Sequence, residues 1–195
     1  MLSARGAELA DSGGGARTIG ATPGASGMIY ALDPGSDVSA VVGYDPAAKR
    51  IVGHWTQPNA EILEFCRLRQ VYGSGVLVVE EFQSYGMAVG MEVFRTVWWS
   101  GRFHQAWPNH LTHAFQLPRR TVKLHLCHSA RATDANVRQA IKDRFGPTKA
   151  LAIGVKASPG PLFGIKGHEY AALAVALTWA DTHQSLSEGV NRREP

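Results

Sequence analysis

A chain of 195 residues, 45% hydrophobic and 18% charged, is long enough for one domain whose core buries roughly two-thirds of the surface of its unfolded chain. No run approaches the ~20 apolar residues needed to cross a bilayer, and two cysteines, Cys66 and Cys127, point to reduced thiols in a cytoplasmic setting rather than to a disulfide framework. The net charge of +4 is uneven, because residues 119–156 hold nine Lys or Arg against Asp134 and Asp143, making that stretch +7 and the remainder about −3. A basic face fits contact with a phosphate backbone, although many soluble proteins carry a solvated basic surface.

In chain order, residues 1–27 contain thirteen Gly or Ala and almost no large apolar groups, so a disordered tail is expected there. It has no apolar stretch long enough for a signal peptide and is not Arg-rich, so it reads as no targeting segment, and Met28 stands where an alternative start would fall. Strands are then expected at 29–32, 38–44 and 50–56, a helix at 60–72, a strand at 76–80 and a helix at 86–102. A short strand near 112–116, a helix near 134–145 and a last helix at 168–181 complete a domain spanning 28–183, followed by a flexible tail at 184–195. The order β-β-β-α-β-α-β-α makes the first three strands antiparallel and the helix-separated strands parallel. The expected fold class is therefore α/β, with a mixed central sheet and helices on both faces.

Chemistry concentrates at three element ends. The apolar run 29–32 stops at Asp33-Pro34-Gly35, which sets a carboxylate at the mouth of a buried hairpin. The run Val76-Leu77-Val78-Val79 leads directly into Glu80-Glu81. Because strand residues alternate faces, only one of these acids enters a shared cleft, and Glu80 is the choice. His168 and Glu169 open the last apolar helix, where an acid also suits the helix dipole. Acids fixed by rigid strands are what Mg²⁺ requires, since it accepts little deviation from octahedral oxygen geometry. The plainer readings are a turn Asp before Pro-Gly and a capping Glu.

Met87, Met91, Phe94 and Trp98 recur at helical spacing and are expected to form the buried stripe of their helix. Trp99, Arg102, His104 and Trp107 fall off it and are expected toward the surface or a partner. His125-x-Cys127-His128 lacks the second cluster of a structural zinc site. Residues 154–160 lack the Gly-Lys-Ser/Thr ending of a phosphate-binding loop.

Four segments, ALDPG at 31–35, VVEEF at 78–82, RRTVKLHLCHSARATDANVRQAIKDRFG at 119–146 and GIKGHEYAALAVALTW at 164–179, resemble in this order the RuvC-type Holliday junction resolvases. The resemblance is greatest to the phage RuvC-like branch of the ribonuclease H-like superfamily and covers roughly residues 28–181. It implies a ribonuclease H-like fold, with the first and fourth strands adjacent. It also implies Mg²⁺, with Mn²⁺ as a substitute, and a homodimer that places two nicks symmetrically in branched DNA. By the same resemblance Asp33 and Glu80 match catalytic metal ligands. His168 falls where relatives carry Asp or His, while Ala171 falls where bacterial enzymes carry a last Asp, for which the neighbouring Glu169 is a candidate replacement.

Lys123, within Arg120-x-Val122-Lys123, matches a Lys near the scissile phosphate. Phe82, with Tyr85 as its rival, lies close to the position of an aromatic wedge that enters the junction. Arg119 and Arg120 join the DNA contacts, and Arg131 compensates for Thr133, which stands where relatives carry Lys. The implied function is a metal-dependent endonuclease cutting Holliday junctions or other branched DNA by water attack, in phage recombination and within the bacterial host cytoplasm. A site with a His ligand would be more sensitive to pH than one of carboxylates alone, because protonated imidazole binds no metal. Two alternatives stay open: a flap or RNA–DNA hybrid nuclease on the same fold, and a junction-binding protein whose site has decayed.

Overall fold

The computed structural model describes residues 27–72, 75–84, 86 and 88–190. The expected disorder of the amino-terminal tail, Met87 in the helical stripe, Tyr85 as a wedge and the last five residues all lie outside the described residues. The elements are β1 (Met28–Asp33), β2 (Val38–Asp45), β3 (Arg50–Pro58), α1 (Asn59–Tyr72), β4 (Gly75–Glu81), α2 (Met91–Ala106), α3 (His110–His113) and β5 (Ala114–Pro118). They continue with α4 (Arg119–Cys127), α5 (Asp134–Phe145), α6 (Lys149–Ala152), the two-residue strands β6 (Gly154–Val155) and β7 (Ser158–Pro159), and α7 (Glu169–Val190). The last helix thus runs past the end at 181 that its sequence suggests.

Five strands form one sheet in the order β3-β2-β1-β4-β5. Short turns set β2 antiparallel to both β1 and β3, whereas the helical crossovers make β1, β4 and β5 parallel. Alternation along each strand feeds two cores. Ile29, Ala31, Val42, Val78 and the α7 residues from Tyr170 to Ala180 pack on one face, over which α4 and α5 add Val122, Val137 and Ile141. Leu32, Val41, Leu77 and Val79 meet Ile62, Cys66, Phe103 and Trp107 of the α1 and α2 side on the other.

Helix α7 is apolar around its whole circumference, with every residue from Ala172 to Thr178 buried, as befits a helix held between a sheet and further helices. Leu173 is fully buried there. Replacing it by Ala removes packed methyl groups from the centre of the domain and should cost about 2–5 kcal/mol of stability, measured as a fall in the denaturant midpoint at unchanged slope.

The expected orientation of α2 is reversed. Met91, Phe94 and Trp98 are exposed, at 67%, 61% and 58%, whereas Trp107, expected toward the surface, is buried at 2%. The helix begins at Met91 instead of at 86, and it presents Ser100 and Phe103 to the protein. Both of its faces carry large apolar groups, so periodicity alone does not tell which is inward. Arg102 lies 4.5 Å from the ring centroids of both Trp98 and Trp99, a cation–π arrangement on the open side.

Candidate active site

The site follows from strand register. Leu32 of β1 pairs with Val79 of β4 in parallel, so the next residues, Asp33 and Glu80, stand side by side at the carboxyl ends of neighbouring strands. Each is two residues beyond a member of the same core, Ala31 and Val78, so both side chains turn to the α7 face. Glu81 turns to the opposite face and accepts a hydrogen bond from Gln83 Nε2 at 3.3 Å.

The turn after Asp33 is pinned from within. Gly35 N donates to Ser39 Oγ at 3.2 Å, Ser39 donates to Asn59 Oδ1 at 2.6 Å, and Asn59 Nδ2 returns to Gly35 O at 3.0 Å. A Cβ at Gly35 would lie 2.2 Å from the Val38 carbonyl oxygen, so only glycine fits this close approach.

A cavity of about 210 Å³ opens above the acid pair, between α4, α5 and the start of α7. Asp33, Glu80, Arg119, Lys123, Asp134, Arg138 and His168 supply its polar lining, and Val122, Val137, Tyr170, Ala171 and Ala174 its floor. A second cavity on the other side of Asp33 and Glu80 is lined by Pro34, Glu81, Phe82, Gln83, Thr96 and Arg119. Phe82 is 46% exposed at this rim. Arg120 and Arg131 are exposed and line neither cavity.

Arg119 Nη1 donates to Glu80 Oε1 at 2.6 Å, and Nη2 donates to Asp134 Oδ1 at 2.7 Å. Lys123 Nζ stands 4.0 Å from the same Asp134 oxygen. His168 Nδ1 lies 2.9 Å from Asp33 Oδ2, with the imidazole largely in solvent and the carboxylate 12% exposed. Glu80 Oε2 is buried without a hydrogen-bond partner.

Burial first, and then the Asp33 charge, push Glu80 up to about 7 against the pull of Arg119. Burial likewise raises Asp33, with His168 opposing it. Burial also works against the charge on Arg119, but Glu80 and Asp134 outweigh it and hold the guanidinium firmly protonated. Asp134 feels some burial too, yet Arg119 carries its pKa below the ordinary carboxylate value.

Glu169 does not line either cavity. Its buried carboxylate lies 3.0 Å from His54 Nδ1 and accepts from Thr56 Oγ1 at 3.3 Å and from Lys166 N at 3.1 Å. It ties the loop before α7 to β3 and so fixes the approach of His168. Gly164, at φ +86°, packs against His54 where a Cβ would come within 3.3 Å of Cε1. The partners His54 and Thr56, the cavity residue Arg138 and the rim residue Thr96 carry no sequence signal, since each meets the site only through the fold. Of the zinc-like triplet, His125 Nε2 binds Asp181 Oδ2 at 2.8 Å, while His128 closes α4 in the left-handed conformation at φ 55°.

Among the described residues no three His, Cys, Asp or Glu side chains already converge as a metal cage. The donors nevertheless fit a hard divalent cation. Two carboxylates held against each other by adjacent strands repel, one of their oxygens is buried without a partner, and a cation between them relieves both costs. Mg²⁺ is commonly held by one or two carboxylates, with waters and substrate phosphates completing its shell.

The mixed sheet with helices on both faces is a ribonuclease H-like fold of the RuvC type. Two solved structures share it. The Thermus thermophilus RuvC structure matches with a TM-score of 0.58 and 17% identity over 82% of this chain and 97% of that one. T. thermophilus RuvC in complex with Holliday junction substrate matches with the same score and identity over 83% and 97%. No family model and no curated protein matches the sequence.

Proposed function

We propose that this chain is a divalent-metal-dependent endonuclease that cuts branched DNA, four-way junctions above all, in the recombination and processing of phage DNA. The observation that carries the reading is the pair Asp33 and Glu80, side by side at the ends of two central strands, with Glu80 Oε2 buried and without a partner. A cation bound there supplies an activated water and charge neutralisation on the leaving oxygen.

The remaining roles belong to the chain. Asp33, Glu80 and His168 hold and orient the metal, Mg²⁺ or Mn²⁺ in its place, and Glu169 positions the loop that carries His168. Lys123, half-buried at the cavity, meets the scissile phosphate. Arg120 and Arg131 contact the backbone from the surface, and exposed Phe82 wedges between base steps at the branch point. Cys66 and Cys127, thiols outside any disulfide among the described residues, accord with a reducing, cytoplasmic setting. The RuvC–Holliday junction complex, on the same fold, supports the choice of DNA substrate.

The exposed stripe Met91, Phe94, Val97 and Trp98 on α2 supports a homodimer, because large apolar groups in a row on an otherwise finished surface call for a partner. Trp98→Glu should convert the dimer into a monomer by light scattering and replace paired nicks with uncoupled single ones.

Incubating the protein and Mg²⁺ with a four-way junction, a flap, an RNA–DNA hybrid and plain duplex tests the substrate class. Preferred cutting of the junction is expected, whereas preferred cutting of the flap or hybrid would reassign the enzyme within the same fold. A non-catalytic junction binder is the second reading, favoured by the Arg119 ion pair that already engages Glu80. It predicts tight junction binding and no cutting with any metal.

A further inference from the structure

Arg119 is the first residue of α4, directly after β5, and its guanidinium spans two carboxylates from different elements. Nη1 holds Glu80 Oε1 at 2.6 Å and Nη2 holds Asp134 Oδ1 at 2.7 Å. Asp134 is itself fixed at the start of α5. There Thr133 accepts from Asn136 N at 3.3 Å, and Asn136 Oδ1 accepts from Thr133 N at 2.9 Å, a reciprocal cap. The guanidinium is therefore clamped at both forks by rigid structure, and it does not deprotonate in proteins.

Only one oxygen of Glu80 is engaged by this clamp; the other, Oε2, is buried without a partner. The carboxylates lining the cavity are Asp33, Glu80 and Asp134, and they face the cations Arg119, Lys123 and Arg138. The lining is thus close to neutral, and one divalent ion leaves an excess that an incoming phosphate can balance. A second would leave a strong positive excess and would have to expel Arg119 from Glu80 Oε1. Across the cavity Gly167, Ala171 and Ala174 offer no side-chain oxygen to hold it.

We propose that Arg119 is the built-in second cation of the site: clamped by Asp134, it occupies the side of Glu80 that a second metal ion would need, so the site takes one divalent ion. This rests on the metal-dependent reading above. Arg119 thereby does permanently what the second ion does in two-metal nucleases, placing positive charge beside the phosphate under attack. Its planar fork bridges two carboxylates at once, whereas the exclusion of a second ion needs only a fixed positive charge at Glu80 Oε1.

Counting Mn²⁺ bound to the full-length protein by electron paramagnetic resonance tests this without any cleavage. Wild type should bind one Mn²⁺ that Asp33→Asn lacks, and Arg119→Ala should bind two. Arg119→Lys, which keeps the charge, should still bind one, and it decides the matter together with wild type where Arg119→Ala fails to fold by circular dichroism. Two ions in wild type, or two in Arg119→Lys, would overturn the role of Arg119 while leaving the metal-dependent reading intact. One ion of unchanged affinity in a folded Arg119→Ala would do the same. No Mn²⁺ in wild type beyond that in Asp33→Asn would overturn both.

Discussion

Asp33→Asn should bind a four-way junction at least as tightly as wild type and cut it on the order of 10³-fold more slowly or worse, which corresponds to losing about 4 kcal/mol of transition-state stabilisation. The two effects separate because of where Asp33 lies. Its carboxylate is one of three that face the cavity beside the basic side chains, so removing its charge takes away a metal ligand and a repulsion toward phosphate in the same step. The fold should not suffer. Burial already pushes this carboxyl toward its neutral form, and an amide of the same shape keeps an oxygen toward His168 Nδ1. Single-turnover cleavage beside fluorescence anisotropy reads both effects, and a variant that cuts at the wild-type rate would remove Asp33 from the chemistry.

The second large effect is on stability, and it runs against the usual behaviour of a carboxylate. Glu80 titrates near 4.5 when unperturbed but is pushed up to about 7 in the fold, so the folded state holds this proton more tightly. Its contribution is fully present below about 4.5 and is lost as pH rises toward 7, the raised Asp33 acting in the same direction. The metal-free protein should therefore melt higher at pH 5.5 than at pH 7.5, and Glu80→Gln should flatten that slope.

Mg²⁺ competes with the proton for the same oxygens. At a hundredfold excess over its Kd it should return about 2.7 kcal/mol at pH 7.5. That is about 5–10 °C in a domain of this size, and the gain should shrink at pH 5.5. Scanning calorimetry at both pH values, with and without Mg²⁺, measures it. A Mg²⁺ increment that is equal at the two pH values, or that survives in Asp33→Asn, would place the ion elsewhere.

The positions of Asp33 and Glu80 at strand ends were legible in the sequence because each ends an uninterrupted apolar strand, and alternation says that only one of Glu80 and Glu81 shares the inner face. Their adjacency was not in the periodicity; it depends on the β1–β4 pairing, which resemblance supplied and the register of Leu32 with Val79 displays. The salt bridge of Arg119 to Glu80 joins residues 39 apart, and no local pattern encodes it. The same holds for Glu169, whose place at the start of an apolar helix suggests a ligand. Residues of β3, 113 and 115 positions away, draw it from the cavity instead. Helix α2 misleads for a different reason: with large apolar groups on two faces, periodicity identifies a helix but not its inner side, and the stripe read as core is the exposed one. Helix α4 is short and strongly basic, so the charge that announces a DNA face also hides the helix that carries it.

The most direct measurement is single-turnover cleavage of a four-way junction labelled on each strand in turn, started by adding Mg²⁺ to the preformed complex. Asp33 and Glu80 acting as the seat of the metal predict no cutting before the addition. After it, paired nicks should appear in opposing strands, leaving 5′-phosphate ends. A junction that stays bound and uncut in both Mg²⁺ and Mn²⁺ would contradict the nuclease and leave a protein that only holds branched DNA.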